Sequence, residues 1–246
     1  MEDKTRSIQL KCLEILDIID SICRQNNIRY SLCGGSVVGA HLYQGCLPWD
    51  DDIDLMMTRE NYNRFIDIAP KLLPNGYSMH NYLVDNSFHK PFTKITNDNT
   101  TIVQKNGDVY GIFIDITVYD RVPKDWRRHI DYFLCRRSLT LFKGTMKVSN
   151  WRALLHNLAI WTMPCSKRTY LLFFQKVAER LGKTRRYTYS ELFGAWAQTY
   201  AYPSHIFENY TDVDFEGRKS MIVRDYVEYL QLRYRSTDFR EPKEKQ

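Results

Sequence analysis

The sequence predicts an α/β (α+β) protein, a mixed sheet flanked by helices with a helical C-terminal elaboration. Three observations carry this. Residues 5–25 repeat apolar side chains at helical spacing, with Ile8, Cys12, Ile15, Ile19 and Ile22 on one face. The stretch "VYGIFIDITVYD" alternates as a strand does: Ile112, Ile114, Ile116 and Val118 share one face, while Phe113, Asp115, Thr117 and Tyr119 share the other. Near residue 123, strand-rich sequence gives way to basic, helical sequence. Residues 1–123 are therefore expected to form the core, 124–240 a helical elaboration packed on it, and 241–246 a disordered tail.

The elements follow in order. After the first helix, "NNIRYSLCGGS" reads as a loop, a short strand and a glycine turn. "SVVGAHLYQG" reads as a short helix ending near Gly45. Residues 50–57 change period and read as a strand. Thr58 is the expected N-cap of a helix over 59–69, with Glu60 in its first turn and Pro70 after its end. "YSMHNYLV", "FTKITND" and "TIVQK" alternate like meander strands. From Lys124 to about Gly182 the pattern is helical and basic, and 188–198 suggest a further helix. "FEGRKSMIVRDYVEYLQLRY" suggests a small hairpin and a closing helix.

Composition narrows the function classes. Of 246 residues, 43% are hydrophobic and 26% charged, as in an ordinary globular protein, and the formal charge of +6 favours anionic partners. The six cysteines lack C-x-x-C or zinc-finger spacing, so a structural zinc site is not expected. The charged N-terminus lacks a signal peptide's apolar region, and no apolar run approaches the ~20 residues that cross a bilayer. The expected setting is the cytoplasm, with reduced thiols.

The chemistry is concentrated in "GCLPWDDDIDLMM", which crowds Asp50, Asp51, Asp52 and Asp54 against an apolar flank. In a strand, residues two apart point the same way, so Asp52 and Asp54 project together, opposite Ile53 and Leu55. Two such carboxylates cannot both stay ionised in a semi-buried place without a cation. A hard divalent ion with oxygen ligands answers this, Mg²⁺ near phosphates being the commonest case. Asp115, alternating with isoleucines, is the expected third acid. A solvated acidic turn is the bland alternative. An EF-hand fails because Leu55 and Asn61 stand where Gly and Glu are required. A prenyl-transferase D-D-x-x-D helix fails on Pro48 and on the missing second copy, and no Asp-Thr/Ser-Gly loop exists for an aspartyl dyad.

Ahead of the acids, "CGGSVVGAH" sets Gly34, Gly35 and Ser36 between strand and helix. Glycines let backbone amides approach a ligand, and a helix start favours phosphate. Ser36 is expected to cap that helix and to offer its hydroxyl. Neither a dinucleotide fingerprint nor a Walker loop is present.

The Gly-Gly-Ser turn, the Asp52-Ile53-Asp54 pair and a third acid on a later strand resemble the nucleotidyltransferase superfamily of the DNA polymerase β type. The fuller stretch "RYSLCGGSVVGAHLYQGCLPWDDDIDLMMTRENYNRF" resembles the LicD family, phosphocholine-transferase-like proteins related to the fukutins. "KITNDNT", "GIFIDI" and the C-terminal hairpin and helix extend the resemblance over about residues 10 to 240; the continuation after the third acid is here "TVYD". The resemblance implies a nucleotidyltransferase-like core. It implies transfer of a phospho-alcohol, typically phosphocholine from CDP-choline, to a sugar hydroxyl on a cell-surface glycan or lipid-linked precursor such as lipopolysaccharide or teichoic acid. CDP-ribitol and CDP-glycerol are the alternative donors. Asp52, Asp54 and Asp115 carry over as metal ligands and catalytic acids for Mg²⁺ (two ions, with Mn²⁺ as substitute), and Gly35 and Ser36 as phosphate contacts beside Gly34.

Within that expectation, Asp115 would also take the acceptor hydroxyl's proton. Positioning and charge neutralisation would carry the rate. Trp49, Tyr43 and Tyr110 are candidates to meet a quaternary ammonium, or are core aromatics. Asp50 and Asp51 would face that ammonium or cap the turn. Lys94 would contact phosphate, or be a solvated strand lysine. No histidine is given a catalytic role. The basic stretch 127–186 would touch the inner membrane surface, or be a solvated face. Two other functions stay open: a true nucleotidyltransferase that releases pyrophosphate, and a non-catalytic nucleic-acid-binding module.

Overall fold

A computed structural model describes residues 2–103, 107–124, 150–161, 166–192, 201–236 and 238–239. The chain divides into two compact units: the described parts of 1–80, 93–117 and 204–246, and those of 81–92 and 118–203.

The first unit opens with α1 (Glu2–Gln25), which buries Cys12, Leu13, Ile15, Leu16, Ile19 and Cys23 along one stripe. Then come β1 (Ser31–Leu32), α2 (Gly35–Tyr43), β2 (Asp54–Thr58) and α3 (Arg59–Leu72). β3 (Tyr77–His80), β4 (Thr93–Val103) and β5 (Val109–Pro123) follow. The strand order is β1-β2-β5-β4-β3, with β3 antiparallel to β4 and β4 antiparallel to β5. The alternation expected for β5 holds from Phe113 to Val118, where Ile114, Ile116 and Val118 are buried and Phe113, Asp115 and Thr117 half-buried; it fails at the ends, Ile112 being half-buried and Tyr119 fully buried.

Local chemistry explains three departures from expectation. β2 begins at Asp54, so Asp50 to Ile53 form a loop and not a strand; Asp50 N–H donates to Leu47 O at 3.1 Å, and Gln9 Nε2 donates to Leu47 O and Asp50 O at 2.9 and 2.8 Å. Thr58 sits at the N-cap of α3, but its hydroxyl accepts from the Asn61 side chain at 2.9 Å and caps no backbone N–H. Pro70 lies inside α3: the helix runs to Leu72 and closes with Leu73 N–H on Ala69 O at 2.9 Å. Pro70 loses the hydrogen bond its missing N–H would have made and its ring crowds the carbonyl four residues back, so the helix ends within three residues of it.

The chain returns to this unit with a 3-10 helix (Ser204–Phe207), the hairpin β8 (Tyr210–Phe215) and β9 (Arg218–Val223), and a closing α-helix (Tyr226–Tyr234). The hairpin turns at Glu216 and Gly217, both at positive φ. Residues from 204 onward thus group with the first unit and not with the rest of 124–203. Side chains from the β1 region secure them: Ser31 Oγ and Tyr30 Oη accept from Val223 and Met221 N–H at 3.1 and 3.2 Å.

The second unit contains the end of β5, α4 (Trp151–Trp161), α5 (Lys167–Leu181), β6 (Tyr187–Ser190) and β7 (Tyr202–Pro203). The closing helix of the first unit is α6. Asn150 Oδ1 accepts from Ala153 N–H, and Ser166 Oγ from Thr169 N–H, so each helix starts on a side-chain cap. Val122, Phe174, Ala178 and Leu192 form its core. Residues 187–190 pair with β5, Asp120 opposite Ser190, where a helix over 188–198 was expected; β-propensity in "YTYS" and a free neighbouring edge override the helical pattern. Residues 193–198, most of 124–149 and the tail 240–246 lie outside the described residues. Among the described residues, no helix is long and apolar enough to cross a membrane.

Gly39 tests the packing of α2. A methyl group there would stand 2.3 Å from Gly45 O, in the loop that leads to the acidic cluster. Gly39→Ala is expected to cost about 2 kcal/mol through forced backbone separation, measured as a lower denaturation midpoint; an unchanged midpoint would contradict this packing.

Candidate active site

The site forms where the β1–α2 turn meets the start of β2. Gly34 has φ of 55° and ψ of −123°, which an L side chain resists. It is held from two directions. Cys33 N–H donates to Asp54 O at 2.8 Å, and Gly34 N–H donates to Tyr229 Oη, from α6, at 3.3 Å. Tyr229 is fully buried and also meets Cys33 Sγ at 3.3 Å.

Ser36 does not cap α2. Its buried hydroxyl accepts the Asp54 N–H at 3.0 Å, tying the first turn of α2 to the start of β2. The amides of Ser36, Val37 and Val38 donate to Cys33 O and Gly34 O at 3.0–3.4 Å, so the open cradle of N–H groups expected there is partly closed by local turns. Asp50 lies against the turn: a methyl on Gly35 would stand 2.7 Å from its Oδ2.

The carboxylates strain against one another. Asp54, half-buried, has its pKa raised well above the ordinary carboxylate range, first by burial, then by repulsion from Asp52 and Asp115; Arg233 opposes this. Asp52 is also raised, first by burial; a hydrogen bond with Asp50 works against the rise, Asp51 adds to it, and Lys94 opposes it. Asp52 is exposed. The common physics is one negative charge too many in a place that hydrates it poorly.

Two cations answer part of that charge. Lys94 is 1% exposed, and its Nζ donates to Asp115 Oδ1 at 2.7 Å across the β4–β5 register. It also stands 3.1 Å from the centroid of the Phe113 ring. It is thus not a solvated strand lysine. Arg233 is the second, and sequence reading did not single it out. Its guanidinium lies 3.4 Å from where a Gly34 side chain would begin. Only the closing-helix pattern pointed to its element; no local signal marked this residue.

The remaining candidates lie nearby or outward. Asp51 is exposed. Trp49 and Tyr43 are exposed and meet edge-on at 6.2 Å between centroids, so neither is a core aromatic. Tyr110 meets His80 edge-on at 5.6 Å. Cys12, Cys23, Cys33 and Cys46 are buried and form no disulfide, and burial pushes the Cys12 and Cys46 thiols up to about 12.

Among the described residues, no three His, Cys, Asp or Glu side chains stand together as a finished metal-ligand set. The donors still suit a hard cation: Asp52 and Asp54 offer carboxylate oxygens whose anionic forms need a compensating positive charge. Asp115 is engaged with Lys94.

Comparisons with known proteins identify the family to which this sequence is similar. The family described as LicD/FKTN/FKRP, nucleotidyltransferase domain, matches residues 27–152. The lipopolysaccharide cholinephosphotransferase LicD of Haemophilus influenzae is 29% identical over 240 residues, covering 93% of this chain and 89% of that protein. An uncharacterized protein of Rickettsia typhi is 32% identical over 68 residues, 28% of this chain and 22% of its own length. One of Rickettsia prowazekii is 26% identical over 117 residues, 47% of this chain and 41% of its own.

Proposed function

The chain belongs to the LicD/FKTN/FKRP nucleotidyltransferase-domain family, and we propose that it is a divalent-metal-dependent transferase that moves phosphocholine from CDP-choline to a sugar hydroxyl of a lipopolysaccharide or lipid-linked glycan precursor in the cytoplasm. The observation that carries the reading is the pair Asp52 and Asp54, disfavoured as anions, beside a glycine turn and the Arg233 guanidinium. Such a pair is disposed to accept a cation together with the phosphates it brings. Near-full-length similarity to a protein named for cholinephosphotransfer supports the headgroup and the acceptor class.

Asp52 and Asp54 would hold Mg²⁺ or Mn²⁺. When bound, the metal supplies positive charge to the donor's diphosphate and to the developing charge on the leaving CMP. A phosphate reaching the Gly34–Gly35 turn would meet the Arg233 guanidinium there and would have to displace the Asp50 carboxylate that lies against Gly35. Lys94 fixes the Asp115 carboxylate on its strand, so Asp115 receives the acceptor hydroxyl's proton at Oδ1 or Oδ2 from a set position. The acceptor oxygen attacks the phosphorus that bears choline; the P–O bond to CMP breaks, and CMP leaves with the electron pair. Exposed Trp49 and Tyr43 offer π-faces to the choline ammonium, and Asp51 adds a negative charge.

The products test this. Purified protein with Mg²⁺, CDP-choline and a lipopolysaccharide-type glycan is expected to release CMP in step with glycan modification, and chelation is expected to stop it. Pyrophosphate release from CTP instead would identify a nucleotidyltransferase. Thermal-shift comparison of CDP-choline, CDP-ribitol and CDP-glycerol is expected to show the largest rise with CDP-choline.

A further inference from the structure

Helix α4 presents a face that does not belong to a soluble surface. Trp151, Leu154, Leu155 and Trp161 are 66%, 57%, 52% and 83% exposed. Positions 151, 154, 155 and 161 fall within one third of the helix circumference at 3.6 residues per turn. Ala153 is buried on the opposite side, with Asn157 and Ile160 half-buried beside it, so the helix already has an inward face and the tryptophan face is not its core contact.

The exposed charge of the unit that carries α4 has one sign. Arg152, Lys167, Lys176, Arg180, Lys183 and Arg186 are exposed in the same unit. No acidic side chain is exposed among that unit's described residues: Asp85 and Glu179 are half-buried, and Asp120 and Glu191 are buried. A tryptophan at each end of a leucine-bearing helix, in a unit whose exposed charges are all basic, is the pattern of a helix lying in the headgroup layer of a bilayer. Indole rings favour that depth, and lysine and arginine favour anionic headgroups. A protein partner for the same face would have to carry an acidic rim around an apolar centre; a lipid surface supplies both layers at once.

We propose that α4 docks this protein on an anionic membrane surface, its Trp151–Trp161 face seated among the lipid headgroups and the unit's exposed cations drawn to the lipid charges. The helix lies on the surface and does not cross it; its length is about 16 Å at 1.5 Å per residue, half a hydrocarbon core. The docking is a property of the second unit and is read without any transfer reaction, so a failed donor assignment leaves it standing.

Co-sedimentation of the full chain with vesicles tests it. Vesicles of equal parts phosphatidylglycerol and phosphatidylcholine are expected to bind the protein, with a blue shift of tryptophan emission, and vesicles of phosphatidylcholine alone to bind it roughly tenfold less. The double variant Trp151→Ser/Trp161→Ser and the single variant Leu155→Glu are each expected to lose roughly tenfold or more in partition with unchanged melting temperature. Three results would overturn the proposal. One is wild-type protein left in the supernatant with anionic vesicles. Another is variants that bind as wild type does. The third is a wild-type dimer that the double variant converts to monomer without any vesicle binding, which would assign the face to a second copy of the chain.

Discussion

Asp54→Asn is expected to lower transfer by on the order of a hundredfold to a thousandfold while leaving the melting temperature equal to wild type or above it. The two halves have one cause. Asp54 is repelled by Asp52 and Asp115 and is poorly hydrated, so its charge opposes folding in the metal-free chain. Asparagine removes that charge and keeps the shape, and its backbone N–H still reaches Ser36 Oγ. On the proposed mechanism, what is lost is an anionic ligand for a cation and its phosphates. Calorimetry without metal and CMP release with metal separate the two halves. A variant that keeps wild-type turnover would remove Asp54 from the chemistry, and one that melts far lower would mean that its charge is already balanced.

Asp115→Ala is expected to destabilise the protein by about 3 kcal/mol, because it leaves the Lys94 ammonium without its carboxylate in a buried place. Lys94 is 1% exposed and Asp115 22%, so the cost sits at the lower end for a broken buried pair. The double variant Lys94→Met/Asp115→Ala is expected to recover most of that loss, since methionine fills the space and carries no charge. Both variants should be inactive. Urea unfolding of the wild type, both single variants and the double variant forms a complete cycle. A double variant no more stable than Asp115→Ala would show that the ammonium was not the source of the cost.

The outline of the fold was legible because its periodicities are local. The apolar stripe of α1 and the alternation in β5 each report their own environment. The acid pair was legible too, although Asp52 belongs to a loop and not to the strand that was expected to align it with Asp54; electrostatic coupling joins them despite the different backbone. What stayed hidden depends on distance along the chain. Pairing Lys94 with Asp115 requires the β4–β5 register, and that register shifts between Asn97 and Ile102 in a way no alternation pattern announces. Arg233 reaches the Gly34 turn from the far end of the chain, and nothing in its neighbours marks it. The strand at 187–190 was missed because only its pairing with β5 decides between helix and strand.

The bond from Gly34 N–H to Tyr229 Oη joins residues 195 positions apart. During synthesis the glycine turn therefore leaves the ribosome long before the tyrosine that steadies it. At ordinary elongation rates the interval is roughly ten to forty seconds. Throughout that time a nascent chain carries its acids without the last helix, and the glycine turn lacks the hydroxyl that later steadies it.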